Sequence, residues 1–250
     1  MHLILAPGAM GIFAYLGALS AMGLESIEEV AGASAGSLLG FFICCGKTLD
    51  EIHDFLFGID LVSLTKMNIY SFFINFGFIS HEPFRKVLKD FCGDPTFKDL
   101  KKKLYVTAYC LNTMETEYFS VDSHPDMSVI DAVCMSMSVP VLFESVKYKG
   151  FTYVDGGACE NFPMLAFLNK DPKDVVIIRF EKHKKFIPEI TNIKDFVSTL
   201  INFVISSQSV YVSPSKTILV DIEGVDIFNF SMDVDDKMKL YVKGYQAARR

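Results

Sequence analysis

The chain has 250 residues, half of them apolar, with a formal net charge of −6 and a mean hydropathy of +0.30. That length suits one large α/β domain or two small ones, and the acidic balance weighs against nucleic acid as a partner, which calls for a basic face. The high hydropathy and the 23 phenylalanines point to a large core with apolar surface left over for lipid.

Residues 3–5 read as a buried strand, followed by the small-residue loop Ala6-Pro7-Gly8-Ala9-Met10-Gly11. Helical periodicity covers 12–22, and Gly23 is placed to close that helix. A second strand at 27–31 runs into Gly32-Ala33-Ser34-Ala35-Gly36 and a helix from Gly36 to Cys45, closed by Gly46. Strand and helix thus alternate through the first 46 residues, which predicts a parallel sheet covered on both faces. Thr48 and Glu51 form a capping box at the start of a helix over 48–57. Residues 60–80 are less regular and hold Tyr70, Phe72, Phe73, Phe76 and Phe78. They read either as core filling or as a lid or acyl-chain tunnel.

A helix is expected over 81–91 and a helical turn over 96–100. Residues 104–111 and 116–121 read as a hairpin. A helix capped by Ser128 follows over 128–137, then a second hairpin at 146–149 and 151–154 that ends at Asp155-Gly156-Gly157. Further strands are expected at 175–180 and 217–222, with helices at 193–206 and 235–250. With no linker or repeat in view, residues 1–250 read as a single domain. Cys44, Cys45, Cys92, Cys110, Cys134 and Cys159 form no C-x-x-C pair and lie mostly in apolar runs. They read as reduced, buried thiols rather than a disulfide frame or zinc site. No basic stretch followed by an apolar core opens the chain, and the apolar run 12–23 is short for a membrane span. A cytoplasmic protein with peripheral contact at membranes is the expectation.

The pentapeptide around Ser34 has the form G-x-S-x-G between a strand and a helix. In such an elbow the serine adopts a strained backbone and its Oγ stands clear of the sheet. Free N–H groups in the first helical turn can hold an oxyanion. The nucleophile candidate is therefore Ser34. Its base should lie at a strand end, and Asp155 fits, with Gly156 and Gly157 turning the chain behind it. His2, His53, His81 and His124 read as surface or capping residues. His183 follows a strand and would complete the order Ser34, Asp155, His183. It stands, however, in the charged run Glu-Lys-His-Lys-Lys. A triad with His183 and a Ser34–Asp155 dyad both stay open, and the dyad would need an aspartate with a raised pKa.

Four stretches together resemble the patatin-like phospholipases. They are Ala6–Ile12 with Tyr15-Leu16-Gly17-Ala18-Leu19; Ala31-Gly32-Ala33-Ser34-Ala35-Gly36-Ser37; Ser136-Met137-Ser138-Val139-Pro140-Val141-Leu142-Phe143; and Tyr153-Val154-Asp155-Gly156-Gly157 with Asn161-Phe162-Pro163. Order and spacing agree over 1–165, and Lys243-Gly244-Tyr245 is also similar. The resemblance implies a three-layer α/β/α fold and a histidine-free dyad. Ser34 would be acylated by a phospholipid or other acyl lipid, Asp155 would serve as base, and no metal or cofactor would be needed. The family's loop is usually Gly-Gly-Gly-x-Lys/Arg-Gly, whereas here Pro7 lacks an N–H and Met10 stands in the basic position. Gly8, Ala9 and Ala35 are then the candidate oxyanion donors. Loss of one such donor costs roughly 2.7–4 kcal/mol in the barrier. A catalytically weak lipid-binding protein is the alternative, and a nucleotide site on Gly8 and Gly11 a third reading, though they match no phosphate-loop pattern. Tyr70–Ile79, with Lys101-Lys102-Lys103 or His183-Lys184-Lys185, could meet an anionic membrane surface.

Overall fold

The computed structural model describes residues 1–158, 160, 162–181, 189–191, 196, 199–200 and 215–250. Its strands in chain order are β1 (His2–Leu5), β2 (Glu29–Ala33), β3 (Gly77–Ile79), β4 (Lys103–Cys110), β5 (Glu115–Phe119), β6 (Val141–Phe143), β7 (Val146–Tyr148), β8 (Phe151–Asp155), β9 (Val175–Phe180) and β10 (Lys216–Val220). The helices are α1 (Ile12–Met22), α2 (Ala35–Cys45), α3 (Leu49–Gly58), α4 (Leu61–Leu64), α5 (Ile69–Asn75), α6 (Glu82–Cys92), α7 (Val129–Ser136) and α8 (Val234–Ala248).

Continuous apolar runs such as Leu3-Ile4-Leu5 and Val175-Val176-Ile177-Ile178 suit strands buried on both faces. They form the parallel centre of the sheet, in the order β10-β9-β1-β2-β4. Leu3, Leu5, Val30, Leu104, Val106 and Ile178 face the main core, which contains the apolar sides of α1, α2 and α7. Ile4, Ala31, Val175 and Ile177 face the opposite side and meet Phe167 from a short 3-10 helix, Met164–Phe167. The protein is a mostly parallel α/β sheet flanked by helices.

The register around β4 sets up everything that follows. Val106 and Thr107 pair with β2 and with β5, so those strands lie on opposite edges of β4. Ala108, Tyr109 and Cys110 pair with β5 and with β8. Hence β2 and β8 share one edge of β4. β2 runs parallel to β4 and stops at Ala33 opposite Thr107. β8 runs antiparallel and stops at Asp155 opposite Ala108. The two strands point at each other, end to end.

Local chemistry accounts for the helix boundaries. Gly23 (φ 76°) and Gly46 (φ 84°) take the positive φ that stops α1 and α2. Thr48 and Glu51 form the expected capping box of α3. α1 and α8 cross with their backbones in contact: a Cβ on Gly17 would overlap the carbonyl of Tyr241, and one on Gly244 would overlap that of Ala14.

Several expectations are corrected. The core-filling reading of 60–80 does not hold: the segment forms α4, α5 and β3 and leaves Tyr70, Phe73 and Phe76 exposed. Its backbone is stapled to polar partners, so the aromatics turn outward. His2 and His81 are buried rather than on the surface. Ser128 makes no side-chain cap on α7, because its hydroxyl donates to Asp94 Oδ1 at 2.7 Å. Lys102 donates to the Leu24 carbonyl and Lys103 pairs with Asp122, at the end of β4 remote from Thr107. Lys102 and Lys103 are thus engaged within the fold, while Lys101 stands exposed. His183, Lys184, Lys185 and most of the helix expected at 193–206 lie outside the described residues. Among those described, Cys44, Cys45, Cys92, Cys110 and Cys134 are free thiols, and no helix is long and apolar enough to cross a membrane.

Candidate active site

Ser34 sits at the turn between β2 and α2 with φ 53° and ψ −127°, a region that non-glycine residues rarely occupy. Both flanking glycines are demanded by contact. A Cβ on Gly32 would overlap the Gly36 carbonyl, and one on Gly36 would overlap the Leu5 carbonyl at the end of β1. The Ser34 carbonyl accepts from Ser37 N–H (2.9 Å) and from the Ser37 hydroxyl (2.7 Å), starting α2. Its own N–H donates to Ser136 Oγ at 2.8 Å.

The end-to-end meeting of β2 and β8 brings Asp155 to Ser34. The carboxyl is hydrogen-bonded by the Ser34 side chain, and its Oδ1 accepts the Gly157 N–H at 2.7 Å. The Asp155 N–H donates to the Ser138 carbonyl at 2.9 Å. Burial pushes the carboxyl up to about 7, against the lowering effect of the Ser34 and Gly157 hydrogen bonds. Ser34 and Asp155 are 6% and 4% exposed, so both side chains are shielded from water. Gly156 is also set by contact, since a Cβ there would overlap the Thr107 carbonyl.

The loop after β1 lies between the elbow and the Asp155 turn. Ala6 approaches Gly36 on one side, and the Pro7 ring lies against Gly157 on the other. Tyr15 donates its hydroxyl to the Pro7 carbonyl at 3.2 Å. The Tyr15 ring stacks on Phe180, with centroids 4.6 Å apart, and Phe180 covers Gly8 and Gly11 so closely that a Cβ at either would strike it. Ala9 has φ 43°, a second strained residue beside the site. The Met10 N–H is taken by the Ile227 carbonyl at 3.0 Å, and its side chain is buried in the core. Among the described residues, the N–H groups of Gly8, Ala9 and Ala35 have no hydrogen-bond partner. The arrangement therefore offers a buried hydroxyl, a carboxylate that titrates near neutrality, and free backbone donors around them. That set is what acyl transfer requires.

Sequence reasoning missed the groups that hold these parts. Ser136 steadies the elbow and Ser138 carries the Asp155 backbone. Ser138 Oγ donates to the Cys134 carbonyl at 2.8 Å, so it accepts from His81 Nε2–H at 2.9 Å. His81 stacks on Phe143, and burial pushes it down to about 4, against the opposing pull of Glu144. The neutral ring is thus part of the scaffold behind Asp155. The small-residue run from Ser136 to Pro140 was the only signal in the sequence for this support.

A family model described as patatin-like phospholipase matches residues 3–168. Protein R571 of Acanthamoeba polyphaga mimivirus is 26% identical over 277 aligned residues, covering 100% of this chain and 92% of R571. The "Probable lipid hydrolase 463L" of Invertebrate iridescent virus 6 is 27% identical, over 91% of this chain and 84% of its own length. Among solved structures, VipD from Legionella pneumophila is similar with a TM-score of 0.71 at 17% identity, covering 99% of this chain and 66% of VipD. ExoU in its complex with SpcU from Pseudomonas aeruginosa gives a TM-score of 0.57 at 17% identity, covering 99% of this chain and 50% of ExoU. The two structural likenesses are likenesses of fold.

Proposed function

The chain belongs to the patatin-like phospholipase family, and from that membership we propose that it is a serine lipid acyl hydrolase, with Ser34 as nucleophile and Asp155 as base. The observation that carries the reading is the placement of Ser34 and Asp155, both buried, at the facing ends of β2 and β8, with a carboxyl that burial raises to about 7. A base of that strength can take a proton at neutral pH and give it back.

In the first half-reaction the Ser34 hydroxyl attacks the ester carbonyl of an acyl lipid while its proton passes to Asp155. The carbonyl oxygen becomes an oxyanion, and the free N–H groups of Gly8, Ala9 and Ala35 are its proposed donors. Collapse breaks the ester C–O bond, and Asp155 protonates the departing alcohol. In the second half-reaction Asp155 takes a proton from water, whose oxygen attacks the Ser34 acyl ester; the acyl–Oγ bond breaks, Asp155 returns the proton to Ser34 Oγ, and the carboxylic acid is released. Pro7 leaves this loop one donor poorer than the family's usual glycine would, and a slower reaction is the expected result. Supporting the lipid class of the substrate are the family and the name given to the viral relative 463L.

The test is hydrolysis of phospholipids, lysophospholipids and neutral glycerides by the wild-type chain and by Ser34→Ala. The variant should lose at least about 1,000-fold in kcat while keeping its melting temperature. A fluorophosphonate probe should add its mass to the peptide carrying Ser34 and not to the variant. Activity that survives in Ser34→Ala would remove the reading. A folded chain that turns over no lipid yet co-purifies with one would favour the binding protein instead.

A further inference from the structure

Residues 61–81 hold a single formally charged side chain, Lys66, within a protein of net charge −6. Along this segment Met67, Ile69, Tyr70, Phe73, Ile74 and Phe76 stand well exposed, from 58% at Phe76 to 76% at Tyr70. Monomeric soluble proteins seldom leave so many large apolar groups together on one surface without a use.

The underside of the segment is polar and held. Ser71 Oγ, Asn75 Nδ2, Ser80 Oγ and His81 N–H all donate to the Glu144 carboxylate, at 3.4, 3.2, 3.0 and 2.7 Å. Ser145 donates to the Asn75 carbonyl through both its N–H (2.8 Å) and its hydroxyl (3.0 Å). A Cβ on Gly77 would overlap the Phe143 carbonyl, so β3 lies directly on the backbone of β6. With one side committed to these polar bonds, the aromatics can only face out.

The segment also reaches the candidate site. Ile79, Leu61 and Leu64 share an apolar cluster with Val139, Phe143 and Ala9. Ala9 lies in the loop beside Ser34, and Ser138, next to Val139, carries the Asp155 N–H. An apolar cluster therefore joins the two ends of the segment, at Leu61, Leu64 and Ile79, to the loop with free backbone donors.

We propose that the outward face of residues 67–76 docks on a lipid bilayer, with Tyr70, Phe73 and Ile74 entering the boundary between head groups and acyl chains. The proposal rests on the lipid hydrolase reading and adds the surface through which that site meets its substrate. The face itself, residues 67–76, carries no formal charge and is flanked by Lys66, and the apolar cluster that joins the segment to Ala9 sets it beside the loop of the lipid site, which favours a membrane over a second copy of the chain. Aromatic side chains at the edge of a short amphipathic element are the usual anchors at that depth.

The decisive experiment is flotation with vesicles of phosphatidylcholine and phosphatidylglycerol, using Ser34→Ala so that no turnover alters the lipid. The chain should float with the vesicles, and adding Tyr70→Ser and Phe73→Ser should reduce the bound fraction by about ten-fold or more. Both changed residues are exposed, so the melting temperature should stay the same. In the active background the double variant should cut a short-chain, water-soluble ester at the wild-type rate while losing vesicle phospholipid hydrolysis by a similar factor. The proposal is overturned if Ser34→Ala does not float, or if the double variant floats as well as its parent. It is equally overturned if the double variant dissociates a dimer in light scattering and leaves flotation unchanged. Absence of all ester hydrolysis would count against the hydrolase reading alone, because flotation does not depend on turnover.

Discussion

Burial places Asp155 under electrostatic strain. Its folded pKa of about 7 exceeds the ordinary value of 3.8, so the native state holds a proton that the unfolded chain has released. Stability from this group is full below pH 3.8 and is lost as pH rises to about 7. Asp155→Asn, uncharged throughout, should therefore melt higher than wild type at pH 8 and by a smaller margin at pH 5. Calorimetry at the two values reads the difference, at about 2–4 °C for each kcal/mol. The same titration sets the activity: kcat/KM should rise with pH through about 7 and level off above it. His81, at about 4, titrates too low to produce that limb. A profile flat from pH 5 to 9 would show that Asp155 is not the base. Ser34 and Asp155 were legible because their chemistry needs glycines at fixed spacing, and those glycines are local. Ser136, Ser138 and His81 were not, because their roles come from contacts between distant segments. The burial of His81 follows from Phe143 and Ser138, and nothing in its immediate neighbours announces it.

Among the elements, the α1–α8 crossing is the least forgiving. Gly17 and Gly244 let the two backbones touch, and any side chain there meets a carbonyl. Gly244→Ala should cost about 1–3 kcal/mol through overpacking, read as a lower melting temperature. It should also reduce activity, because α1 begins at the loop holding Gly8 and Ala9. An unchanged melting temperature would show that α8 can move away freely. Parallel strands, capped helices and hairpins were all readable, since each rests on a local rule such as the Thr48–Glu51 box. The segment from 60 to 80 was not. Its aromatic content reads as core on composition alone, and only the Glu144 anchor, far along the chain, turns the apolar side outward.

At the scale of the whole molecule, residues beyond the family match at 168 complete the sheet. β9 covers the open edge of β1, Phe180 seals Gly8 and Gly11, and α8 packs on α1. A chain ending after residue 170 should therefore lose its cooperative unfolding transition and its activity, seen by circular dichroism and ester hydrolysis. A folded, active fragment would show that the C-terminal third is dispensable. The meeting of β2 and β8 on one edge of β4 has a consequence for how such a protein can diverge. Ser34 and Asp155 are separated by a long stretch of chain, yet their spacing depends only on two registers against one strand. Insertions in the connecting loops, such as the turn at 111–114, leave that spacing untouched, however long they grow. A single residue added inside 30–33 or 104–108 shifts one strand end by about 3.3 Å and turns its side chains to the other face. Length variation among descendants of this fold should therefore gather in the loops and stay out of these two short strand segments.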